Sequence, residues 1–172
     1  MATSFPTPQL FRRLMGSFAT GVTVITAQSQ PGRVHGMTAN SFTSVSLNPL
    51  LILICVAHNA RLLTFIREQH RFGVNILKES QRSLSEYFAK PLPVPGAEES
   101  LGIRYSWTST GIPLLEDALG SLACKVVAEH LAGDHSIFIA EVESVELGEG
   151  QPLLYYHRQY RRLQSPGRGG IS

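Results

Sequence analysis

Cysteine is scarce in this sequence: Cys55 and Cys124 are the only two in 172 residues, each inside an apolar run and neither in a CxxC pair. No His/Cys cluster has zinc-ligand spacing, which points away from a structural metal site. Long apolar runs are missing as well. The longest, Leu50 to Ala57, falls far short of the roughly 20 residues a helix needs to cross a bilayer, and the N-terminal stretch has no apolar signal region. The expectation is a reduced, cytoplasmic protein with no membrane segment. Net charge is nearly absent: 15 basic against 13 acidic residues leave +2, too balanced to mark a nucleic-acid-binding surface. Neither a GxGxxG after a strand nor a GxxxxGK occurs, so no Rossmann dinucleotide site or P-loop is indicated. Any nucleotide must bind another way.

What is present describes one folded domain. Apolar residues make up 43% and charged residues 16%, a globular balance at a length that buries a substantial core. Twelve of the 15 basic residues are arginine, whose planar fork suits phosphates, although the bias alone requires no anionic ligand. Leu10, Phe11, Leu14, Met15 and Phe18 recur at helical spacing, with Arg12 and Arg13 facing away. Strands are expected at 22–27, 34–46, 50–57 and 72–77, with helices at 59–69, capped by Asn59, and 81–88. Three prolines and a glycine make 90–99 a long exposed loop, beyond which strands are expected at 105–108, 118–131, 136–147 and 153–157. Many strands, few helices and no regular βαβ alternation predict a mainly β, α+β protein: an antiparallel barrel with peripheral helices. The domain is expected to occupy residues 1–163, followed by a disordered tail over 164–172.

One segment is chemically distinctive. From Gly36 to Ser46, the run Gly-Met-Thr-Ala-Asn-Ser-Phe-Thr-Ser-Val-Ser packs short hydroxyls and an amide between two apolar strands. Such groups match the alternating donors and acceptors at the edge of a flat polar ring, while composition alone fits an exposed Ser/Thr-rich strand equally well. Followed by Leu47-Asn48-Pro49 and the apolar strand, the segment resembles the flavin-binding signature of the short-chain flavin reductase family. The resemblance runs from about Phe11 to Leu163. It includes Ala19 to Val24, Phe72 to Leu77, Gly133 to Phe138 and Pro152 to Tyr156, five segments in the family's order.

That resemblance implies a Greek-key split-barrel flavin-binding fold and NAD(P)H-dependent reduction of FAD or FMN. It further implies a homodimer whose reduced flavin passes to a flavin-dependent monooxygenase. Thr38, Ala39, Asn40 and Ser41 would lie along the isoalloxazine, and Ser44, Val45 and Ser46 would support ring and ribityl chain. Cys55, Val56, Asn59, Ala60 and Arg61 would receive the flavin phosphate near a helix N-terminus. Ala60 and Leu62 stand where relatives commonly carry hydroxyls, which leaves phosphate contacts to the backbone or Asn59. His135, in the turn Gly133-Asp134-His135, is the catalytic candidate, orienting the nicotinamide of NADH or NADPH. Arg158 and Tyr160 would border the cofactor pocket. Asn75 and Gln81 read as structural, and Cys55 as a small apolar residue rather than a redox thiol. A flavin-binding carrier or sensor without nicotinamide turnover is the alternative.

Overall fold

The computed structural model describes residues 5–90 and 97–163. Helix α1 spans Pro8–Met15, with Thr7 as N-cap accepting the Leu10 N–H at 3.2 Å and Pro8 in the first turn. Strands β1 (Thr20–Gly21), β2 (Thr23–Gln30), β3 (Arg33–Ala39), β4 (Phe42–Leu47) and β5 (Leu50–Ala57) follow. Helix α2 (Leu62–Gln69), strand β6 (Arg71–Ile76), helix α3 (Arg82–Phe88) and a short α4 (Ala97–Ser100) come next. The chain closes with β7 (Tyr105–Trp107), β8 (Pro113–Leu115), β9 (Gly120–Ala132), β10 (His135–Leu147), β11 (Leu154–Tyr156) and β12 (Gln159–Arg161).

Seven strands form one antiparallel sheet in the order β3-β2-β6-β9-β10-β5-β4. Its two edge strands, β3 and β4, are consecutive in sequence and joined only by Asn40 and Ser41. Such a link spans about 10 Å at most, so the sheet must curl until its edges meet. The result is an antiparallel barrel split along the seam between β3 and β4, the expected architecture. Ile52, Ile54, Val56, Phe72, Val74, Phe138 and Ala140 fill its interior, and α2 packs Leu62, Leu63 and Ile66 into the same core.

Strand β2 is buried along Thr23 to Ala27 because both of its faces are covered. Ile25 joins the barrel interior, whereas Val24 joins a second cluster with Leu77, Tyr87, Phe88 and Leu153 beneath α3. Gly36 makes that packing possible, since a Cβ there would lie 2.5 Å from the Phe88 ring.

Several expected features differ in detail. Strand 34–46 is two strands, because the chain must cross the seam at Asn40-Ser41. Asn59 does not cap α2; the N-cap is Arg61, which makes no side-chain capping bond. Strands β1, β8 and β12, and helix α4, fall below the length at which periodicity speaks. The apolar stripe of α1 remains exposed: Leu10, Phe11, Leu14, Met15 and Phe18 have no cover within the described residues. Part of the expected 90–99 loop and the expected disordered tail lie outside the described residues.

Candidate functional site

The polar segment begins on β3 and ends on β4. Strand β4 is a sheet edge bonded only to β5, with an irregularity between Ser44 and Ser46 that leaves Val45 out of register. Its outward backbone groups therefore have no strand partner. Beside the crossing, Phe18, Thr20, Gly21, Thr23, Asn40 and Phe42 wall a cavity of about 370 Å³, and Asn40 donates to Thr20 Oγ1 at 3.3 Å. Ala39 lies on β3 against the core.

Several hydroxyls are already committed to the fold. Thr38 donates to the Ser85 carbonyl at 2.7 Å, Ser41 to the Cys55 carbonyl at 2.8 Å, and Ser46 accepts the Asn48 N–H at 3.1 Å. Ser44 and Val45 stay exposed. Thr43 donates to the Ser44 carbonyl at 3.3 Å, and Asn40 and Thr20 bond to each other, so the Ser44 hydroxyl and the outward β4 backbone edge are the groups left open among the described residues. This set fits a flavin, whose pyrimidine edge asks for alternating donors and acceptors rather than for charge.

The catalytic candidate sits on the adjoining strands. Gly133, at φ 62°, and Asp134 form the two-residue turn of the β9–β10 hairpin, the position where glycine is favoured. His135 pairs with Ala57 across β5, and the Asp134 carbonyl accepts the His58 N–H at 2.9 Å, so β5 pins this turn. Asp134 Oδ1 lies 2.7 Å from His135 Nδ1, and this hydrogen bond holds the Asp134 carboxyl below its ordinary range. An ionised carboxylate accepts, so Nδ1 carries the proton and Nε2 is the free ring nitrogen.

Ser41 bonds to Cys55, two residues from Ala57, so the crossing, the end of β5 and the His135 turn share one end of the barrel. Val56 points into the core and fixes the strand there. Burial raises the Cys55 thiol above its ordinary value and makes it a poor nucleophile; Cys124 is pushed up to about 12 by the same cause. Asn59, Ala60 and Arg61 form the turn into α2.

His58 escaped the sequence reading, although it lies beside Asn59. Its Nε2 is 3.3 Å from Ser136 Oγ, which also receives Arg67 Nη2 at 3.4 Å. Arg67 pairs with Glu129 at 2.6 Å and lowers that carboxyl below its usual range. Arg158 and Tyr160 lie on the β11–β12 hairpin, whose sheet also holds Thr20 and Gly21 of the cavity wall. They belong to the small sheet β1-β11-β12, where Tyr160 Oη meets Ser85 Oγ at 2.8 Å and its ring meets Tyr155 at 5.4 Å. Arg158 is an exposed turn residue with φ 61°. The structure does not gather these two residues with His135.

A larger hollow of about 470 Å³, lined by Lys78, Glu116, Asp117, Glu146 and Glu149, is unsuited to a nucleotide. Four carboxylates repel phosphate, and the single lysine is already paired with Asp117. Among the described residues no group of three His, Cys, Asp or Glu side chains is placed to hold a metal ion, and no helix is long and apolar enough to cross a membrane.

The family model described as flavin reductase like domain matches residues 15–164. The chain belongs to the flavin reductase family. It is 43% identical over 164 residues to an NADH-dependent flavin reductase of a Rhodococcus species, covering 94% of this chain and 90% of that one. It is 38% identical to the reductase component of the 4-hydroxyphenylacetate 3-monooxygenase of Thermus thermophilus, covering 92% and 98%. Among solved structures, the flavin reductase PheA2 in its native state superposes with a TM-score of 0.84 at 42% identity, over 93% of this chain and all of that one. In this family member the open β4 edge and the His135 turn therefore occupy one end of the family's barrel.

Proposed function

We infer that this chain is an NADH-dependent flavin reductase that supplies reduced flavin to a partner monooxygenase. The observation that carries the reading is the placement, on neighbouring strands at one barrel end, of an uncharged polar strand edge and an Asp134-oriented histidine. The flavin, when bound, supplies the two-electron acceptor: nicotinamide C4 gives a hydride to flavin N5, and the further proton comes from solvent. The protein's task is to hold two flat rings face to face at short range. Asn40, Thr43, Ser44 and the β4 backbone hold the isoalloxazine, and the turn from Val56 to Arg61 meets the phosphate. Asp134 keeps the His135 ring in one tautomer, whose Nε2 orients the nicotinamide amide. Hydride transfer itself needs no strong acid or base.

The flavin is FAD, and the enzyme works in the cytoplasm. The unit is a homodimer. On β5, half-exposed Leu51, Leu53 and Cys55 alternate with buried Ile52, Ile54 and Val56, and on β10 half-exposed Ile137 and Ile139 alternate with Ser136, Phe138 and Ala140. This sheet is apolar on both faces while one chain covers only one, and a second copy supplies the missing cover.

Steady-state NADH oxidation by the purified protein, titrated with free FAD, FMN and riboflavin, tests the reading. The rate should saturate with added flavin. A tightly bound flavin with no turnover would make the protein a carrier instead.

A further inference from the structure

The proposed chemistry leaves one aromatic and basic cluster unused. His35 of β3 and Phe65 of α2 face each other across the seam side of the barrel, ring centroids 5.3 Å apart and tilted by 57°. Both rings are half-buried, leaving part of each open to solvent. Arg61, one turn before Phe65 along the same helical spacing, is exposed, and its charge reaches His35. Arg67, Arg71, Arg82, Arg104 and Arg162 each hold a carboxylate, whereas Arg61 makes no ion pair among the described residues. Burial, reinforced by Arg61, holds His35 below the ordinary imidazole range, so its ring is a neutral flat surface near neutral pH.

Two half-buried aromatic rings with an unpaired guanidinium beside them form a pattern that receives a base on the rings and a phosphate on the cation. We propose that His35, Phe65 and Arg61 form the subsite for the adenosine diphosphate half of FAD, with the adenine against Phe65 and His35 and the diphosphate at Arg61. The proposal rests on the reading that the flavin phosphate meets the turn from Val56 to Arg61. It makes Phe65 a residue that discriminates FAD from FMN, which shares the phosphate and lacks the adenosine.

Equilibrium titration of flavin fluorescence with FAD and FMN tests this independently of turnover. Phe65→Leu keeps the apolar packing and removes the flat face, and Phe65→Tyr restores it. Loss of one stacked base corresponds to about a tenfold weakening. Phe65→Leu should therefore raise the Kd for FAD about tenfold, leave that for FMN unchanged, and be rescued by Phe65→Tyr. Arg61→Ala should weaken FAD more than FMN, and ADP should displace FAD from the wild type. Equal weakening of both flavins in Phe65→Leu, or of neither, would overturn the proposal. Wild-type protein that binds neither flavin would instead remove the functional reading beneath it.

Discussion

At the scale of single residues, the structure separates groups that hold the barrel from groups free to meet a ligand. The resemblance sets Thr38, Ser41 and Ser46 along the flavin, and the structure shows that their hydroxyls also close seams within the fold. Asn75 behaves as its buried position demands. Its amide donates to the Val24 carbonyl at 2.9 Å and to Thr26 at 3.1 Å, and its oxygen accepts from Leu115 at 2.7 Å and Ser121 at 3.0 Å. Gln81 likewise accepts the Lys78 N–H and donates to the Asp117 carbonyl, as a structural residue should. His135 differs from both, because one ring nitrogen is held by Asp134 and the other is free. Replacing it with alanine should raise the KM for NADH at least severalfold while the Kd for flavin stays within twofold, read by paired steady-state and fluorescence titrations. Equal loss of both would make the turn a flavin-holding element. His58 was illegible in sequence, since its contacts depend on a hairpin about 75 residues away along the chain.

At the scale of elements, legibility followed length and periodicity. Strands β5, β6, β9 and β10 were readable because long β-branched or alternating runs admit few other states. The split of 34–46 into two strands was not readable, because nothing local marks Asn40-Ser41 as a bridge between opposite edges of one sheet. Gly36 was read as part of a ligand-facing stretch; its smallness instead lets α3 seat Phe88 on β3. Gly36→Val should therefore lower stability by about 1–3 kcal/mol through overpacking, seen as a lower Tm in a thermal melt, with little direct effect on flavin chemistry. An unchanged Tm would mean that Phe88 moves aside freely.

At the scale of the whole molecule, the polarity of the outer surface matters most. The sheet buries Ile54 and Phe138 inward and leaves Leu53, Ile137 and Ile139 half-open outward, the apolar face that the proposed second copy would cover. Ile139→Lys should convert the proposed homodimer to monomer in light-scattering chromatography, because a charge on this face would be buried unpaired under a second copy. A monomeric wild type would contradict that arrangement. The family and its barrel were legible from five ordered segments. Cover of the outer apolar face was not legible, because one sequence records which residues are apolar and not what covers them. A reductase of this kind reduces a flavin with NADH and lets the product go. The most direct test mixes protein, excess FAD and NADH without oxygen, follows the bleaching of flavin absorbance, and then passes the mixture through a membrane that retains protein. Bleaching of the full FAD pool, with reduced flavin in the filtrate, is the predicted result; bleaching limited to one flavin per chain, all of it retained, would make the protein a flavin carrier and not a supplier of reduced flavin.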